Sequence, residues 1–228
     1  VLNNKYYVGR ALDNRIGGFM IAEVAKLLKE NNITLPFGLY ITNSVQEEVG
    51  LRGAQMITES IKPNVAIVTD VCHDTQTPML NKIKQGDLSS GKGPVLTYGP
   101  AVQNNLLQLL IDSANKNNIP FQRAAASRAT GTDTDAFAYS NDGVSSALIS
   151  LPLRYMHTTV ETVRKEDVEN TIRLIKETKA DKVITKKVRE ELKRLHYLQQ
   201  LAGLRSHLNL KYVALFLGSC GLSVITIL

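Results

Sequence analysis

Asn64-Val65-Ala66-Ile67-Val68-Thr69-Asp70 is the stretch on which the fold turns. It is an unbroken apolar run, preceded by Pro63 and closed by a carboxylate. Continuous rather than alternating apolarity marks a strand buried on both faces, the habit of parallel sheets covered by helices. Asp70 then falls at the carboxyl end of the strand, where such sheets collect functional residues.

The flanking sequence supports this reading. Upstream, Ile16, Met20, Val24, Leu27 and Leu28 form a helical stripe within 16–31, and Asn31-Asn32 ends it. Leu35 to Thr42 reads as another buried strand, and Leu51 to Ser60 as a short helix. Downstream, a connection rich in glycine (Gly86, Gly91, Gly93, Gly99) leads to a helix over 103–118 and a strand over 121–126. A short helix over 132–139, a strand over 144–151 and a helix over 166–178 complete the series. The last helix carries acidic residues in its first turn and Lys176 near its end, as the helix dipole favours. Alternating strands and helices predict an α/β fold with a mixed, largely parallel central sheet and helices on both faces.

Charge divides the chain. Residues 1–178 carry 18 Lys and Arg against 18 Asp and Glu, while 179–228 carry 9 against 3. The formal net charge of +6 therefore belongs to the tail. A nucleic-acid binder should show its basic stripe on the folded domain, and none is expected here. Two cysteines make neither a disulfide framework nor a CxxC metal pattern, which suits a reducing compartment, and the cytoplasm is the expected location.

The chemistry gathers around Val45-Gln46-Glu47-Glu48-Val49-Gly50-Leu51-Arg52-Gly53-Ala54. Adjacent carboxylates repel unless a cation or a shared proton relieves them. One reading is a divalent-metal site in which one Glu binds and the other moves protons. The other is a solvated acidic pair before a helix start. Candidate ligands elsewhere are Asp13 before the first helix, Asp70 at its strand end, and His157 in Pro152-Leu153-Arg154-Tyr155-Met156-His157. Carboxylates with imidazole suit zinc, cobalt or manganese better than calcium or magnesium. Each has a plainer role: Asp13 as an N-cap, Asp70 closing a strand, His157 as a satisfied histidine near the core. Their common position at element edges of one sheet favours the site.

These words, in this order, resemble a known family. Ala11-Leu12-Asp13-Asn14-Arg15-Ile16-Gly17, the Glu47-Glu48 block, Thr69-Asp70-Val71, Thr130-Gly131-Thr132-Asp133 and the block ending in His157, with Glu161 beyond it, are similar to those of the M42 dinuclear metalloaminopeptidases. The resemblance runs from about Val8 to about Thr178 and implies a zinc-peptidase-like α/β catalytic domain over 1–178. It implies two divalent metal ions, zinc or cobalt. Asp13 would bridge them, Glu48 would bind one, Asp70 and His157 would complete the protein ligands, and Glu47 would be the general base. Gly131, Thr132 and Asp133 would shape the substrate pocket, although the same residues suit a turn and a helix cap. Short peptides are the implied substrates and a homo-oligomer the implied assembly.

The chain departs from the family pattern in two places. The family's further ligand, a His in a His-x-Asp motif, has no counterpart before Asp13, and neither has its inserted PDZ-like or β-barrel domain. His73 lies close by but reads as a pocket-wall residue. A fragment that holds one ion well and the second poorly is the expectation. Beyond Lys179 the resemblance stops: a basic segment to Gln200 reads as helical, and Tyr212 to Leu228 is mostly apolar. A read-through sequence is preferred to a membrane anchor for this tail. Two other functions compete with the peptidase: an inactive or membrane-tethered remnant, and a glycoside hydrolase (endoglucanase) using Glu47 and Glu48. Carboxyls of adjacent residues rarely face one sugar from opposite sides, which disfavours the last.

Overall fold

The computed structural model describes residues 1–178, with the backbone of 213–217 and 225–227. The elements in order are β1 (Tyr6–Gly9), α1 (Leu12–Glu30), β2 (Leu39–Ile41), α2 (Arg52–Ile61), β3 (Val65–His73), α3 (Lys82–Gln85) and β4 (Val95–Tyr98). They continue through α4 (Asn104–Lys116), β5 (Gln122–Ala125), α5 (Asp133–Ala138), β6 (Ser145–Arg154), β7 (Glu161–Arg164) and α6 (Lys165–Glu177), then β8 (Val213–Leu217) and β9 (Ile225–Ile227).

The strand over 65–73 is the spine of one sheet, ordered β1-β7-β6-β3-β8-β2-β9, with β4 and β5 branching from β6. Parallel pairing holds the centre, β6 with β3, β3 with β8, and β8 with β2. Antiparallel pairing holds the edges, β1 with β7, β7 with β6, and β2 with β9. The β3–β6 register runs unbroken from Val65↔Ser145 to His73↔Leu153, three residues beyond the apolar run. Helices α1, α4 and α6 pack together and α2 packs with α5, and both groups meet β3 and β6, one on each face. Met20 of α1, Leu106, Leu107 and Leu110 of α4, Phe137 of α5, Leu174 of α6, and Ile67 and Ile149 of the sheet are among the fully buried side chains of this core.

Some expectations are adjusted. The strand expected over 35–42 is only three residues long and half-buried, because Pro36 cannot donate to a ladder and holds the chain in a bend. The strands β1, β4 and β7, of four residues each, add to the expected series, whereas β5, equally short, falls within the strand expected over 121–126. In the glycine-rich connection, the Asp167 carboxylate accepts from the N–H groups of Gly91 and Gly93 at 2.6 and 2.8 Å, tying α6 to the loop before β4.

Two pieces of the apolar tail are strands of this sheet. β8 lies between β3 and β2, parallel to both, and β9 lies antiparallel along the other side of β2. A β-branched, apolar sequence suits a buried strand as well as it suits a bilayer. The boundary at 178 is a reading of composition and motif, and the backbone pairing crosses it. The helix read over 179–200 lies outside the described residues. Among the described residues no helix is long and apolar enough to cross a membrane.

Candidate metal centre

Three of the expected ligands converge. His157 Nε2 lies 3.0 Å from Asp13 Oδ2 and 3.6 Å from Glu48 Oε2. One ligand atom from each residue lies within 4.8 Å of the others, and this is the candidate metal cluster among the described residues. Atoms that each sit about 2.0–2.2 Å from one zinc ion are at most about 4.4 Å apart, and both separations from His157 fall within that range. The donor set of two carboxylates and one imidazole fits zinc or cobalt.

Local sequence explains why Asp13 is free for this role. The regular part of α1 begins after two residues with non-helical dihedrals, Asp13 and Asn14. Asn14 then does the capping: its Oδ1 accepts from the Gly17 N–H at 3.0 Å, and its Nδ2 donates to the Thr69 carbonyl at 2.9 Å. The N-cap alternative for Asp13 is thus taken by its neighbour. Asp13 is buried, and its pKa is pushed up to about 6 by that burial and by Glu48, against the opposing effect of His157.

The Glu47-Glu48 turn separates the pair by environment. Gly50 and Leu51 donate their N–H groups to the Glu47 carbonyl, each at 3.0 Å, which tightens the chain into α2. Glu48 faces His157 at the exposed side, while Glu47 is 9 % exposed. Burial and the nearby Asp133, Glu48 and Asp13 raise the Glu47 pKa to about 8. Gly53 is required here: a Cβ would lie 2.3 Å from the Val45 nitrogen and 2.4 Å from its carbonyl oxygen. That close approach lets the Gly53 N–H donate to the Val45 carbonyl at 2.9 Å and seats the turn on α2.

Asp70 stands apart from the trio. It is buried within β3, which runs three residues past the strand end expected at Asp70; its Oδ1 accepts from the Val71 N–H at 2.8 Å, and burial with Glu47 and Asp13 raises its pKa. The Thr130–Asp135 segment forms the cap of α5. Thr132 caps α5 by accepting from the Thr134 N–H at 3.2 Å, and Gly131 holds φ +69°. Asp135 accepts from the Thr130 and Gly131 N–H groups. Asp133 instead points inward, fully buried: Ser44 Oγ donates to its Oδ2, and its Oδ1 has no hydrogen-bond partner. Burial raises its pKa to about 7.

Sequence reasoning missed Ser44 and the capping role of Asn14, and quoted Glu161 without a role. Ser44 carries no motif signal, since its partner lies 89 residues away. Asn14 could have been found from its spacing of three before Gly17. A groove of about 710 Å³ is lined by His73, Lys84, Tyr98 and Arg123 among others. His73 is part of its wall, and partial burial, with a smaller effect of His157, lowers its pKa.

Known proteins share this architecture. The sequence profile of the M42 glutamyl aminopeptidases matches residues 1–174. The chain is 40% identical over 165 residues to the lysyl aminopeptidase of Pyrococcus furiosus, covering 72% of this chain and 46% of that protein. Its fold superposes on the TET aminopeptidase of a marine-sediment thaumarchaeon with a TM-score of 0.70 and 32% identity, over 78% of this chain and 50% of the other. The TET1 peptidase of Pyrococcus horikoshii, which can assemble into a tetrahedron or a large octahedral shell, gives a TM-score of 0.61 and 28% identity over 78% and 51%. The chain thus spans about half the length of the relatives it matches. On the profile, the shared fold and the relatives' common character, it belongs to the M42 family of aminopeptidases.

Proposed function

We propose that the protein is a metal-dependent aminopeptidase that removes N-terminal residues from short peptides. The observation that carries this is the division of the Glu47-Glu48 pair, with Glu48 gathered beside Asp13 and His157 and Glu47 held apart in a buried, proton-retaining environment. Asp13, Glu48 and His157 would hold one ion, and Asp13 with Asp70 would supply the protein side of a second. When bound, divalent ions there would polarise the scissile carbonyl and make water a nucleophile at neutral pH. Glu47, free of ligation, takes the proton of the attacking water and returns it to the leaving amine. Burial first, and adjacent negative charges second, raise its proton affinity, which favours keeping that proton until the amine departs.

Gly131, Thr132 and Asp133 form the wall beside Glu47, and the groove over His73, Lys84 and Arg123 takes the substrate side chain. Relatives are named for lysyl and for glutamyl substrates, which carry opposite charges. Among the described residues no ion pair engages Lys84 or Arg123, so this groove favours an acidic side chain over lysine. Commitment of Glu48 to the ligand cluster leaves the glycosidase reading without its second carboxyl. The TET1 likeness supports a homo-oligomer for the whole protein.

The test is hydrolysis of glutamyl-, leucyl- and lysyl-p-nitroanilide with zinc or cobalt. The parent should favour the glutamyl substrate, Arg123→Glu should shift that preference toward lysyl, and chelation should end the activity. Glu47→Gln should lose turnover while binding the metal as the parent does. Full activity in Glu47→Gln would exclude it as the base.

A further inference from the structure

Asp13 and His157 are 144 residues apart in the sequence, and one buried carboxylate touches both. The Asp13 N–H donates to Glu161 Oε2 at 3.1 Å, across 148 residues of sequence. The His157 N–H donates to Glu161 Oε1 at 2.8 Å. Glu161 is 2 % exposed; its bond from Asp13 is buried and its bond from His157 part-buried. Each oxygen of the carboxylate is thereby assigned to the main chain of a different member of the candidate cluster, and neither contact involves the side chain that would bind metal.

The surrounding backbone makes such a clamp necessary. His157 itself sits at φ +62° and Tyr155 at φ +56°, in the left-handed region that non-glycine residues enter at a cost. Ala11, two residues before Asp13, sits at φ +55°. Both segments therefore approach the site in conformations that their own sequences do not favour. Glu161 opens β7, directly opposite Gly9 in the β1 ladder, which places its side chain between the chain leaving β1 and the turn leaving β6.

We infer that Glu161 is a positioning residue that sets the spacing of Asp13 and His157 for metal. This rests on the proposed use of that cluster as a metal site. A carboxylate is required because both donors need an acceptor. A glutamine amide offers one oxygen and turns an N–H toward the other donor, and an aspartate is one methylene short of spanning both.

Cobalt(II) binding by the full chain tests this, read as affinity and as the visible spectrum of the bound ion, with the melting temperature of the metal-free protein measured in parallel. E161Q should weaken cobalt binding by about 10–100-fold, the usual cost of losing a group that orients ligands, and should change the spectrum. E161D should fall between E161Q and the parent. A lowered melting temperature with parental affinity and spectrum in both variants would mean that Glu161 is structural only, and would overturn the inference. E161A extends the series; if it does not fold, E161Q and E161D decide. A parent that binds no cobalt would refute the metal reading itself and this inference with it, whereas a binding parent with equally binding variants refutes this inference alone.

Discussion

The two sides of the site handle negative charge in opposite ways. On the β1–β7 side, Glu161 is satisfied by two main-chain N–H donors, and Asp13, though raised to about 6 by burial and Glu48, has His157 within 3.0 Å. On the α2–α5 side, Glu47 and Asp133 are buried, and the Ser44 hydroxyl donates to Asp133. Their pKa values rise to about 8 and about 7, and that of buried Asp70 between the two sides rises as well. Satisfied carboxylates fix geometry, because their charge is already compensated. Uncompensated ones store demand for a proton or a cation, which is what acid–base chemistry beside a metal uses.

The sharpest way to break this contrast is to remove one group from each side. Asp13→Asn takes a ligand from the β1–β7 side and should abolish stoichiometric cobalt uptake, measured by equilibrium dialysis. Glu47→Gln, on the other side, should keep uptake and lower turnover by about 10²–10⁴-fold, the range for a lost general base. Equal uptake in the two variants would contradict the division of labour.

The next effect is on the scaffold of the acidic turn. Gly53→Ala places a methyl group 2.3 Å from the Val45 nitrogen, and an overpacked site of this kind costs about 1–3 kcal/mol. Urea unfolding should show that loss, together with weaker metal binding as Glu48 is displaced. Ser44→Ala leaves buried Asp133 without its donor and should cost about 1–3 kcal/mol in the same measurement. No change in unfolding midpoint would show that the Ser44–Asp133 contact carries no weight.

The smallest effect is a pH dependence. Asp133 ionises near pH 7 in the folded chain against an ordinary value of 3.8. Between those values the folded state holds a proton that the unfolded state has lost. This group's contribution to stability therefore declines as pH rises from about 4 to about 7. Asp133→Asn cannot titrate, and its unfolding free energy should vary less across that window than the parent's. An unchanged pH slope would place the Asp133 pKa elsewhere.

Much of the fold was legible in particular residues. The run Val65–Val68 announced a doubly buried strand, and β3 is buried from Val65 to Val71. The stripe Ile16, Met20, Val24 and Leu28 is the buried face of α1, with Ile21 added. β1, β4 and β7 were not legible: β4 lies inside the glycine-rich connection, and β1 pairs with β7 far along the chain, a contact that no local pattern announces. The site was legible as a set of motifs, and three of its four expected ligands meet in the fold. What escaped were the groups whose partners are remote in sequence, Ser44 with Asp133 and Glu161 with Asp13.

Sequence by itself determined the alternation of strands and helices, the neutrality of residues 1–178 and the chemistry on offer: three carboxylates and an imidazole at element edges, with a second Glu beside one of them. These follow from local rules, the period of apolar residues and the residue types that metals accept. Only the tertiary structure decided that Asn14 caps α1 so that Asp13 can face His157, that Glu47 turns inward while Glu48 turns to the cluster, and that Glu161 joins the backbones of Asp13 and His157. Adjacent residues can share a motif and still differ in burial, and burial decides whether a carboxylate binds a cation, holds a proton or holds the backbone.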